Sequence, residues 1–193
     1  MLEATQGSIT IDGIDISTVP HDHVRSSIVA IPQDTAILDG SIRFNVDSTE
    51  SLSDDVIIAS LDKLELWQTI QSRGGLDALI DSTLLSHGQL QLLVFARAMC
   101  RKGKVLVLDE ATSSLDEQTA EIVDKVLADC FADWTVIVVA HKVDSLLGYD
   151  RVAVLDQGRL IEFDEPRKLL ARQSAFGQLY EASVRRGHVD GMS

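Results

Sequence analysis

The sequence predicts an α/β fold. Three observations carry that prediction. Val105-Leu106-Val107-Leu108 is a continuous apolar run of the kind a strand covered on both faces requires. Strand and helix patterns alternate from that run onward. The composition can also fill a core: 45% of the 193 residues are hydrophobic and 24% are charged, close to the average of globular chains. Aromatics make up only 5%, so the core rests on Leu, Val, Ile and Ala. The length suits one domain.

The elements follow in order. Ser8-Ile9-Thr10-Ile11-Asp12-Gly13 alternates and reads as a strand running into a turn. Ser27 to Ile31 is a second short strand, stopped by Pro32. From Ser53 to about Ser72 a capping serine, two aspartates and apolar residues at Val56, Ile57, Leu61, Leu64 and Trp67 predict one amphipathic helix, ended by Arg73-Gly74-Gly75. Ser86 to Lys102 is another, with Leu90, Leu93, Val94 and Met99 on its apolar face. The strand at Val105 ends in Asp109-Glu110 and is followed by a helix from about Glu117 to Phe131. Next come a strand at Thr135 to Ala140, a short helix after His141, and a strand at Arg151 to Leu155. A hairpin turn at Asp156 to Arg159 leads to the strand Leu160 to Phe163. Pro166 opens a last helical stretch that trails into a polar end.

Charge and cysteine content narrow the function. Seventeen basic residues face 30 acidic ones, a net charge of −13. A nucleic-acid binder needs a basic footprint, so that class is disfavoured, as is binding to an anionic membrane surface. Cys100 and Cys130 fit neither a disulfide framework nor a metal spacing, which suits a reducing compartment. The N-terminal residues lack the basic and apolar regions of a signal peptide, and no apolar run approaches the roughly 18 residues of a spanning helix. The chain is therefore expected not to insert into a membrane itself.

The sharpest chemistry lies in Val105 to Asp116, VLVLDEATSSLD. An apolar strand delivers two carboxylates at its C-terminal end, where open α/β sheets bind ligands. Asp109 can hold Mg²⁺ through its water shell, and Glu110 can polarise a water for attack on a phosphate. Two acids that merely end a strand and cap the next helix would look the same; the following ATSSLD distinguishes the cases. The segment resembles the Walker B motif and D-loop of the ATP-binding-cassette (ABC) ATPases. Leu85-Ser86-His87-Gly88-Gln89 is similar to their LSxGQ signature, Ile31-Pro32-Gln33-Asp34 to their Q-loop, and Val138-Val139-Ala140-His141 to their switch region. These motifs stand in family order over more than a hundred residues, and the resemblance runs from about Leu2 to Leu170.

The resemblance implies a P-loop NTPase-like (ABC ATPase) core sheet with an antiparallel N-terminal strand region and a helical signature subdomain at about residues 48–103. A C-terminal tail is expected at about 174–193. It implies ATP and Mg²⁺ as cofactors. Asp109 and Gln33 would contact the metal, Glu110 would act on the attacking water, and His141 would sense the γ-phosphate. Ser86, Gly88 and Gln89 would complete the site of a second nucleotide-binding domain in a head-to-tail pair, with Asp116 facing across it. At a helix N-terminus, free N–H groups and the positive helix end favour a phosphate. The expected partners are that second domain and the transmembrane domains of a transporter, at the cytoplasmic face of a membrane. Gly40 to Asn45 and Asp150 to Pro166 look most like the second nucleotide-binding domain of subfamily C, the multidrug-resistance-associated proteins.

Two departures stand out. No GxxxxGK followed by Ser or Thr occurs, so the Walker A loop that holds the β- and γ-phosphates and its strand are missing from these residues. Leu90 follows the signature where many relatives carry a basic residue. If the Walker A strand lies beside the Walker B strand, Val105 to Leu108 is expected to have an unpaired edge, an aggregation hazard. A truncated gene model is the favoured explanation. The rival reading is a non-catalytic module that binds a complete domain through its signature helix. A DNA-repair or chromosome-organising ABC-type ATPase is disfavoured, because no coiled-coil insertion is present. His21-Asp22-His23 lacks a third metal ligand nearby, and Trp67 and Trp134 are expected in core packing.

Overall fold

The computed structural model describes residues 6–81, 84–112, 115–140 and 143–190, the last five of these in backbone only. The chain divides into two compact units, residues 1–139 and 140–193.

The first unit opens with a small hairpin, β1 (Thr10–Ile11) and β2 (Ile14–Asp15). Its two-residue turn is Asp12-Gly13, both at positive φ, as hairpin twist demands. A short helix, α1 (His21–Ser27), feeds β3 (Ile28–Ile31). Then come α2 (Ile42–Val46), α3 (Asp54–Lys63), α4 (Trp67–Ser72) and α5 (His87–Met99). The unit closes with β4 (Val105–Asp109), α6 (Glu117–Cys130) and β5 (Thr135–Val139).

The single helix expected over Ser53 to Ser72 is two. Glu65 sits at φ +58°, and Leu64 and Leu66 on either side of it are both buried. Two positions apart on a continuous helix they would point about 200° apart. Breaking the helix at Glu65 puts both in the core. Helix α5 is more deeply set than its apolar stripe suggested: Leu92 to Ala96 and Ala98 are all buried, and Leu90 and Met99 only pack at the edge of the cluster. Trp67 and Trp134 pack against the same cluster as expected.

Strands β3, β4 and β5 form a parallel sheet in that order. Val29 and Val136 flank Leu106, and Ile31 stands beside Leu108. This corrects the expected open edge. The Walker B strand, β4, is paired on both sides and Leu106 is 0% exposed. Among the described residues the edges lie at β3 and β5, and on β5 Ile137 and Val139 are 49% and 48% exposed. Parallel pairing of β5 with β4 takes up the position that had been expected for the missing strand.

In the second unit, β6 (Val152–Asp156) and β7 (Arg159–Asp164) form an antiparallel hairpin about Gln157-Gly158, both at positive φ. Helices α7 (Pro166–Leu170) and α8 (Ala175–Asp190) follow. Val143, Val152, Val154, Leu169 and Phe176 make its core. The stretch expected as a tail from about residue 174 is largely α8. Its first turn is fixed by the Glu162 carboxylate, which accepts from the N–H groups of Ala175 (2.8 Å) and Phe176 (3.0 Å).

Candidate nucleotide site

Register gathers the candidate residues. In a parallel sheet, strands held side by side end at the same edge, and here Ile31 lies beside Leu108 while Asp109 lies beside Val139. Gln33 follows β3 by two residues, Asp109 ends β4 and Glu110 comes directly after it. All three therefore lie at the C-terminal edge of the sheet, where α/β sheets take their ligands. His141, two residues beyond β5, lies outside the described residues.

Asp109 is exposed and Glu110 half-buried. Glu110 has φ +52°, a left-handed conformation that is uncommon outside glycine. Its N–H donates to the Val139 carbonyl at 3.0 Å, so β5 holds the strained turn in place. Strain retained in this way collects at functional sites. Gln33 and Ala111 line a common cavity with Gln91, Val94 and Phe95 of α5.

The signature residues begin α5 with a reciprocal cap. Ser86 Oγ accepts from the Gln89 N–H at 3.3 Å, and Gln89 Oε1 accepts from the Ser86 N–H at 3.0 Å. The N–H groups of His87 and Gly88 precede any intrahelical acceptor and fit an anion. Gly88 is also constrained from behind: a Cβ there would lie 3.3 Å from Thr119 Oγ1 and 3.5 Å from Asp116 Oδ2. Asp116 in turn caps α6, accepting from the Thr119 N–H (3.0 Å) and hydroxyl (2.7 Å). The Thr119 N–H, then its hydroxyl, hold the Asp116 carboxyl below the usual carboxylate range. Thus Gly88, within the Ser86–Gln89 cap of α5, faces Asp116 and Thr119 at the start of α6, while Gln33, Asp109 and Glu110 share the sheet edge.

Among the described residues no three His, Cys, Asp or Glu side chains converge as a metal cage. A carboxylate or two is what Mg²⁺ requires of a protein when phosphates and waters complete its shell, and Asp109 with Gln33 suits that donor set. Sequence reasoning missed Gln91 and Arg97. Gln91 is buried on the Val94–Phe95 face of α5, three and four residues ahead of them. That spacing was the available signal. Arg97 donates to the carbonyls of Asn45 (2.6 Å) and Ala36 (2.8 Å) and to Asn45 Oδ1 (3.0 Å), fixing the segment after Gln33; pairing over more than 50 residues has no local signature.

Residues 1–113 match the ABC_tran family, described as ABC transporter. The chain belongs to the ABC transporter family. Among its relatives are the ABC transporter atnG of Emericella nidulans, 45% identical over 95% of this chain and 12% of that protein. ABC multidrug transporter B of Aspergillus fumigatus is 44% identical over 95% of this chain and 13% of that protein. ABC multidrug transporter lscH of Purpureocillium lilacinum is 49% identical over 95% and 13%. This chain therefore spans about an eighth of the length of the curated relatives it matches. A bacterial Atm1-family ABC exporter with ATP bound superimposes with a TM-score of 0.84, at 27% identity, over 92% of this chain and 32% of that one. The fold is that of an ABC ATPase domain. Among the described residues no helix is long and apolar enough to cross a membrane.

Proposed function

We propose that this chain is most of an ATP-hydrolysing nucleotide-binding domain of an exporter, of the kind found second in subfamily C transporters. The observation that carries the proposal is the shared ending of β3 and β4, which sets Gln33, Asp109 and Glu110 on one sheet edge. Asp109 and Gln33 would hold Mg²⁺, which supplies neutralisation of phosphate charge. Glu110 would accept the proton of the attacking water, fixed toward it by the left-handed turn. His141 would contact the γ-phosphate. Ser86 and Gly88 would bind the phosphate held by a second, head-to-tail domain, with Gln89 and Asp116 holding the capped helix starts that present them.

Residues 48–103 would form the helical subdomain of a single domain, with about 174–193 as its C-terminal end, at the cytoplasmic face of a membrane beside transmembrane domains. A strand bearing the Walker A loop would add to the open edge of β5. Consistent with this, purified chain is expected to bind ATP·Mg no more tightly than about 1 mM. Micromolar affinity in calorimetry would refute the need for an added strand.

The test of the chemistry is Glu110→Gln in a complete transporter. Hydrolysis should fall by a factor of about 10² to 10⁴ with ATP binding retained; unchanged turnover sinks the assignment. The second reading, a non-catalytic module acting through its signature helix, is supported by the intact reciprocal cap at Ser86, which presents free N–H groups without any contribution from a Walker A loop of the same domain. It predicts ATP-dependent association of this chain with a domain that has one.

A further inference from the structure

The starts of α5 and α6 are held apart by one side chain. Gly88 is the second residue of α5 and Thr119 the third of α6. A Cβ at Gly88 would lie 3.3 Å from Thr119 Oγ1, 3.8 Å from Thr119 Cγ2 and 3.5 Å from Asp116 Oδ2. The Thr119 side chain therefore stands directly against the signature backbone, with the Asp116 carboxylate beside it. Thr119 itself is buried.

Helix propensity does not call for threonine at this position. Its β-branch makes it a poorer helix former than alanine, glutamate or lysine. The two branches instead have separate contacts. The hydroxyl donates to Asp116 Oδ2 at 2.7 Å, while the Thr119 N–H donates to Asp116 Oδ1 at 3.0 Å. The methyl and the hydroxyl oxygen both lie within contact of Gly88. Capping α6 needs only the N–H bond; the hydroxyl bond fixes the second carboxylate oxygen as well.

The reason to fix it is electrostatic. The first N–H groups of α5 have no intrahelical acceptor, and the positive helix end attracts an anion. Asp116 puts a carboxylate of this same chain beside that end. Turned toward α5, the carboxylate would occupy the place a phosphate takes at a helix start. The Thr119 hydroxyl holds the near oxygen, Oδ2, toward α6 instead.

We propose that Thr119 is a positioning residue of the phosphate site that this chain offers to a second domain. Its hydroxyl keeps the Asp116 carboxylate off the start of α5 and so leaves Ser86 and Gly88 open to the incoming phosphate. The inference rests on the head-to-tail reading above and adds a competition within the chain, between its own carboxylate and that phosphate. The signature contact is made to bound ATP before as well as during hydrolysis, so weakening it acts on KM rather than on kcat.

The test is ATP hydrolysis by a complete transporter that carries this domain. Thr119→Val keeps the branched shape and removes the donor. It should raise the KM for ATP at least about tenfold, the scale of one hydrogen bond to a charged group, with kcat changed by less than about twofold. Thr119→Ser keeps the donor and should restore the KM. In an Asp116→Asn background no charge is left to hold back, so adding Thr119→Val should move the KM by less than about twofold. A merely structural role would lower kcat and the melting temperature at unchanged KM, and that result overturns the proposal. So does full additivity of Thr119→Val with Asp116→Asn, or a KM that serine does not restore. Ser86→Ala separates the inference from the reading beneath it. If Ser86→Ala raises the KM and Thr119→Val does not, the signature assignment stands and the role of Thr119 falls; if neither moves it, both fall.

Discussion

Truncating Leu106 and Ile137 to alanine, one at a time, tests the strand order on which the nucleotide site depends. Leu106 sits on the central strand, flanked in register by Val29 and Val136, with no exposure. A buried Leu→Ala change loses transfer energy and leaves a cavity between paired strands, at a cost of about 3 kcal/mol. Ile137 lies one strand over, on the open edge, and is 49% exposed. Half of a full side-chain burial, with no enclosed cavity, costs about 1 kcal/mol. With a urea dependence of about 2 kcal/mol/M, the midpoints should drop by about 1.5 M and 0.5 M respectively. Urea unfolding followed by tryptophan fluorescence reads this, because Trp67 and Trp134 both pack in the first unit's core. Equal costs, or a larger cost at Ile137, would place β5 rather than β4 in the sheet centre and refute the order. Expected strand pairing would then have to be rebuilt, together with the edge proposed to receive the Walker A strand.

Three further outcomes follow from the same contacts. Asp47→Asn should destabilise the first unit by about 1–3 kcal/mol, since an amide nitrogen faces N–H donors that need an acceptor; chemical denaturation checks it. The Thr49 hydroxyl, then the Leu52, Thr49 and Ser51 N–H groups, hold the Asp47 carboxyl below its usual range. A depressed folded-state value means stability fully present above about pH 4 and lost as pH falls through the lower folded value, so the variant should flatten the acid limb of a stability–pH curve. Glu162→Ala removes the acceptor of two N–H groups at the start of α8 and should cost the second unit about 1 kcal/mol, read as loss of amide-exchange protection at Ala175 and Phe176. Gly88→Ala should weaken the α5–α6 junction, because the added methyl lies 3.3 Å from Thr119 Oγ1. In a complete transporter it should lower turnover; full activity would show that the junction yields without consequence.

Much of the site was legible in local sequence. An apolar run that ends in Asp109-Glu110 must deliver those carboxylates at a strand end, and Ser86 three residues before Gln89 must cap a helix, because both consequences follow within a single element. The left-handed turn at Glu110 had no such signal, since it is imposed by the Val139 carbonyl on the neighbouring strand. Gln91 was passed over because a lone polar residue within a helix reads as solvent-facing until its neighbours on the same face are seen to be buried.

The sequence alone determined the strands β3 to β7, the helices α5 and α6, their order, and the carboxylates and caps that make the chain an ABC ATPase relative; it gave no sign of the short elements β2, α1 and α2. What it determined rests on interactions within a turn or a strand. Tertiary structure decided what depends on residues far apart in the chain. It placed β4 between β3 and β5 and so moved the open edge to Ile137 and Val139. It broke one expected helix at Glu65 so that Leu64 and Leu66 could share a core. It also gathered Arg25, Arg97, Arg101 and Lys102 around one cavity of an acidic molecule. Periodicity and composition carry no record of such pairings, because burial and charge are summed over the fold rather than along the chain.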